Sequence, residues 1–153
     1  MTKERSLRAG ALLMLIGALS FVGYAVVFFF RSFTGSGFEL GVDTLNGVTA
    51  SQLAALNPAV LYYINHLHVA TAGFIAATGI AVAFLAWHGV RKGAWWAWVA
   101  AVISPVVGLA VALPMHYTGG FRHDWVTHLG PIYLGTLVFV AGALVALGGL
   151  VKK

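Results

Sequence analysis

The sequence predicts an all-α integral membrane protein, with four transmembrane helices in an up-down bundle and both termini cytoplasmic. Three observations lead there. Of 153 residues, 60% are hydrophobic and 8% charged, about a third of the charge density of an ordinary soluble domain. The mean hydropathy of +0.90 excludes a disordered charged tail and leaves too little polar surface for a soluble monomer. Four uncharged apolar blocks recur along the chain, with the cations at their ends. The net charge of +5 therefore reports topology, since no stripe of cations follows a nucleic-acid backbone.

The first block runs from Ala9 to Phe30, roughly 33 Å of helix against a hydrocarbon core of about 30 Å. The preceding MTKERSLR resembles the basic part of a secretory signal, but the apolar run is longer than a signal core and ends without a small-residue cleavage pattern, which predicts a retained span. The second span is expected over 58–88, opened by Asn57 as cap and Pro58 at the first helical position. Its length of roughly 46 Å requires tilt or protrusion. The third covers 94–115 and carries Pro105, which predicts a kink tolerated among neighbouring helices. The fourth covers 131–151, with an earlier start at Asp124 or Trp125 and a kink at Pro131 as the alternative.

Orientation follows from short-loop charge. Lys3, Arg5, Arg8, Arg91, Lys92, Lys152 and Lys153 fall on one side, and Arg31 and Arg122 on the other, beside Glu39, Asp43 and Asp124. The positive-inside rule makes the first side cytoplasmic, so the chain is expected to be a multi-pass protein of the cell membrane. The extracytoplasmic loop 32–57 has a glycine-rich first half. Its second half sets Thr49 and Gln52 at capping-box spacing and predicts a short surface helix over 50–56. The whole forms one membrane domain, 1–153.

The chain has no cysteine, so it offers no disulfide, thiolate ligand, covalent haem attachment or Cys nucleophile. It also lacks GxGxxG, GxxxxGK, HExxH and GxSxG patterns. Chemistry must come from elsewhere.

Small residues mark where membrane helices approach each other. A step of seven residues returns an ideal helix to within about 20° of its start. Gly135, Gly142 and Gly149 share that spacing, and one step back the same face meets His128. Ser104, Gly108 and Ala112 form a face leading to His116. Ala70, Gly73 and Ala77 accompany His66, whereas Ala72, Ala76, Gly79 and Ala83 accompany His68. Two residues apart on a helix is about 200°, so His66 and His68 cannot both face the bundle. His66 is the expected inward member, with His68 as substitute.

Five of the six histidines, His66, His68, His116, His123 and His128, belong to the outer side, and an up-down bundle brings three of their helices to one level. Ionisable groups inside membrane bundles are candidate functional groups. His66, His116 and His128, with Asp124 or water as fourth group, suit zinc, copper or non-haem iron. Glu39 or Asp43 enters if the loop folds over the mouth. One b-type haem on two of His66, His68, His116 and His128 is the close alternative, with Arg31 or Arg122 on its propionates. A quinone held by histidine and Tyr117 or Tyr133 is a third. The other class is a non-catalytic accessory subunit, packed in a larger membrane complex or a homo-oligomer.

Overall fold

The computed structural model describes residues 1–34 and 37–152. Lys153, counted above among the cations, and residues 35–36 of the first loop lie outside them. Helix α1 is Lys3–Thr34. A two-residue hairpin, β1 Thr44–Leu45 and β2 Val48–Thr49, leads into α2, Ala50–Leu56. Thr49 caps α2 through its side chain and Gln52 answers from the third position, so two amides of the first turn are satisfied reciprocally. Helix α3, Pro58–Phe84, starts with the Asn57 side chain accepting from the Ala59 amide and runs on through a π turn, Leu85–Gly89, and a 3₁₀ turn, Val90–Lys92. Then come α4, Trp95–Ala112, a single-turn α5, Pro114–Tyr117, a second π turn, Trp125–Leu129, and α6, Gly130–Leu150.

Four of these helical stretches are long and apolar enough to cross a membrane: Lys3–Thr34, Pro58–Lys92, Trp95–Tyr117 and Trp125–Leu150. They form an all-helical bundle with the two chain ends together, the Lys152 ammonium donating to the Met1 carbonyl at 2.7 Å. Helix α1 is the centre, flanked by α6 and α3. The core is built of small side chains around Met14, from Ala11 and Ala18 of α1, Val82 and Ala83 of α3, Ala97 and Ala101 of α4, and Phe139, Ala143 and Ala146 of α6. All lie in the half of the bundle nearer the termini.

In a bilayer no hydrophobic force drives helices together, so close backbone approach has to supply the attraction. A methyl group added at Gly142 would stand 2.5 Å from the Met14 amide nitrogen and 2.8 Å from the Gly10 carbonyl oxygen. The α6 face of Gly135, Gly142 and Gly149 is indeed the one buried on α1. The corresponding expectation for α4 fails. Gly108 has open space on its side-chain face, Ser104 and Ala112 are exposed, and α4 buries only Ala97 and Ala101. Its contact is made at one end, where the Trp98 indole donates to the Ala143 carbonyl at 3.0 Å. Beyond that anchor the helix, with Pro105 inside it, leaves its side chains exposed or half-buried.

The α3 faces are also exchanged relative to expectation. Ala72, Gly79 and Ala83 are buried, while Ala70, Gly73 and Ala77 are exposed, so the His68 face is inward. Both faces carry small residues at equivalent spacing, and sequence alone offers no term to separate them.

Gly142→Leu should lower the thermal midpoint of detergent-purified protein by the overpacking cost of about 1–3 kcal/mol or more. Gly108→Leu should change stability by less than about 0.5 kcal/mol. Differential scanning fluorimetry of the two variants checks both, and equal losses would mean that α4 packs along its length.

Candidate functional site

The mouth opposite the termini is closed by a strap from the first loop. Phe38 and Val42 are buried at 4% and 2% exposure and pin a tight turn in which the Phe38 amide donates to the Val42 carbonyl at 2.9 Å and the Val42 amide to the Glu39 carbonyl at 3.0 Å. Gly41 lets this turn lie on the start of α6. Its φ is +77°, and a Cβ there would meet Thr127 Oγ1 at 2.7 Å and His128 Cβ at 2.9 Å. The Gly41 carbonyl accepts from the Asp124 amide at 2.8 Å. The strap thereby places Leu40 and Glu39 against His128.

His128 comes from the π turn ahead of α6 and is almost fully buried. Its Nδ1 is 2.8 Å from the Leu40 carbonyl oxygen. A carbonyl only accepts, so Nδ1 holds the hydrogen and the neutral ring keeps a lone pair on Nε2. His116, at the end of α5, repeats the arrangement, with Nδ1 3.1 Å from the Ala112 carbonyl oxygen. The two Nε2 atoms face each other at 2.9 Å. Two lone pairs at that separation repel unless a cation lies between them, either a proton or a metal ion.

Other groups gather around the pair. Glu39 Oε1 is 3.5 Å from His128 Nε2, and its other oxygen is 3.9 Å from His68 Nε2. Burial pushes the Glu39 carboxyl up to about 7, since the charged form loses its hydration. The His123 ring lies 5.1 Å from that of His128 and 5.6 Å from that of His116. Both of its nitrogens are buried and unpartnered among the described residues. His68 packs on Phe28 with ring centroids 5.0 Å apart. Among the described residues, no three His, Asp or Glu side chains stand close enough together to hold a metal ion without moving. Glu39 is the carboxylate beside the His116–His128 pair, 3.5 Å from His128 Nε2.

The remaining predicted site residues lie apart from this cluster. His66 is exposed and stacks on Tyr63. Asp124 caps the π turn: its Oδ1 accepts from the Thr127 amide and hydroxyl, each at 2.8 Å, and the amide, first of all, holds its carboxyl below the usual range. Arg31 is half-buried and Arg122 exposed, and neither forms an ion pair among the described residues. Asp43 turns toward Gly37. The Tyr117 and Tyr133 hydroxyls bond each other. Sequence spacing has no signal for the Leu40 and Ala112 carbonyls, which set both tautomers. Comparison with protein-family models, curated proteins and solved structures gave no match.

Gly41→Ala should be destabilising by about 1–3 kcal/mol through backbone strain alone, with a further loss as the new methyl pushes the strap off His128. Thermal unfolding of this variant beside Gly47→Ala, another positive-φ glycine but with open space around it, isolates the contact. Equal losses would show that the strap does not rest on His128.

Proposed function

We propose that this small polytopic membrane protein holds a transition-metal ion at its extracytoplasmic mouth, between His116 and His128 with Glu39 as carboxylate, for redox chemistry. The observation that carries this reading is the 2.9 Å approach of two Nε2 atoms whose Nδ1 partners are both backbone carbonyls. A cation held by both would answer the two facing lone pairs, and neutral imidazole nitrogen is a good donor to iron and copper. Iron or copper would supply redox chemistry there, which zinc cannot. Rotation of the Glu39 side chain, 3.5 Å from His128 Nε2, would supply a third ligand, with His68 and His123 nearby. A metal there would supply electron transfer, while the chain's own residues fix the imidazole tautomers and keep bulk water out.

A b-type haem bound by this pair has less support. Its two axial nitrogens stand on opposite faces of a porphyrin, about 4 Å apart, and the two imidazoles are closer than that. A quinone at the mouth would have to break the Tyr117–Tyr133 hydroxyl contact. The second reading, an accessory subunit of a larger membrane complex or a homo-oligomer, is favoured by the open small-residue face of Ser104, Gly108 and Ala112, which suits close packing of another helix.

The extracytoplasmic placement of the mouth rests on the seven cations at the opposite side against Arg31 and Arg122 here, with the termini cytoplasmic. Single cysteines at the exposed positions Thr2, Lys92 and Thr118 should react with an impermeant maleimide on intact cells only at Thr118. The reverse pattern would overturn the orientation.

Protein extracted gently without added metal should carry close to one equivalent of iron or copper by elemental analysis. His116→Ala and His128→Ala should abolish it, and Glu39→Gln should weaken affinity by at least the roughly 10- to 100-fold typical of losing a supporting partner. His66→Ala should leave the content unchanged. Metal-free protein, unaltered in spectrum and composition by His116→Ala and His128→Ala, would sink the metal reading and favour the structural subunit.

A further inference from the structure

At the end that carries the termini, a groove of about 360 Å³ opens between α1 and α3, with walls from Leu15, Leu19, Ile80, Phe84, Trp87 and His88. It falls within the size range of small-molecule sites. Leu19, Ile80 and Phe84 are 49%, 48% and 63% exposed, so the groove faces laterally, into the apolar layer of a bilayer. At its polar rim the Arg91 guanidinium lies 4.1 Å from the centre of the Trp87 ring. The His88 ring stacks on Phe84 with centroids 5.5 Å apart.

The charge at this rim has no acidic side-chain partner among the described residues. Glu4 is the one acidic residue of the sequence at this end, and it pairs with Arg8 at 2.7 Å. Glu39, Asp43 and Asp124 belong to the opposite mouth. Among the described residues, no acidic side chain therefore answers Arg91 and Lys92. A ligand that complements both features must bring an anionic head to the rim and an apolar tail to the walls, which excludes soluble anions and neutral lipids alike. Cation–π contact fixes the guanidinium while leaving its donors free for phosphate oxygens.

We propose that this groove seats one anionic phospholipid, its phosphate on Arg91 and an acyl chain along Leu15, Leu19, Ile80 and Phe84. The site stands independently of the metal reading, being at the other end of the bundle.

Native mass spectrometry of the delipidated full chain, titrated with phosphatidylglycerol or with phosphatidylcholine of identical chains, tests it. One saturable phosphatidylglycerol is expected, bound more tightly than phosphatidylcholine. Arg91→Gln should weaken phosphatidylglycerol about fivefold, the effect of one cation near an anionic lipid, and leave phosphatidylcholine unchanged. Lys152→Gln, with the same charge loss on the α1–α6 side, should change it less than about twofold. Ile80→Trp, at an exposed wall position, should block saturable binding of phosphatidylglycerol. Equal affinity for the two lipids, binding of glycerol phosphate as tight as the lipid, equal weakening by Arg91→Gln and Lys152→Gln, or undiminished binding by Ile80→Trp would each overturn the proposal.

Discussion

Two backbone carbonyls dictate the chemistry of the mouth. Leu40 and Ala112 each take the Nδ1 hydrogen of a histidine, and that single demand turns both Nε2 lone pairs inward, to 2.9 Å. Were either carbonyl absent, one ring could flip its tautomer and the pair would settle into an ordinary neutral hydrogen bond. With both present, the site calls for positive charge. Its electron-rich surroundings, Glu39 on one side and the unpartnered nitrogens of His123 on the other, strengthen that demand. Burial raises its cost if unmet, because a polar group out of water without a partner loses its full hydration.

The scaffold holds the two carbonyls from separate directions. Ala112 ends a helix that is tied to the bundle through Trp98, Ala97 and Ala101 and is otherwise unburied. Leu40 belongs to a strap whose position depends on Phe38 and Val42 being buried and on Gly41 having no side chain. Between them, α6 brings His128 in from a π turn, whose wider ring shifts the register of the side chains before the regular helix begins. The packed half near the termini, centred on Met14, thus supplies rigidity, and the outer half, lightly packed, supplies the cluster. That division matches the general pattern in which polar, less stable regions of a fold carry function.

Several of these features can be read along the chain. Charge-free runs disclose the four long helices, since an apolar helix satisfies its backbone polar groups within itself. The seven-residue glycine spacing of α6 discloses its packed face, and stepping back to His128 places that side chain inside. Other features depend on partners that periodicity does not contain. His66 and His68 sit on opposite faces equally rich in small residues, and only the packing of α3 on α1 selects His68. Ser104, Gly108 and Ala112 repeat every four residues without a helix to meet them. Glu39 reaches the cluster through a turn set by φ +77° at Gly41, and Asp124, an acid beside two histidines in sequence, has its carboxylate engaged as a helix cap. Tertiary contact, not local pattern, decides each of these.

Which cation satisfies the facing imidazoles, a metal ion as proposed or a proton, is open to one measurement. X-ray absorption at the iron or copper edge of natively extracted protein addresses it directly. Two imidazole nitrogens and at least one carboxylate or water oxygen at about 2.0–2.1 Å are expected. An absent edge signal, together with a nitrogen-15 spectrum showing one proton shared between His116 and His128, would contradict that expectation.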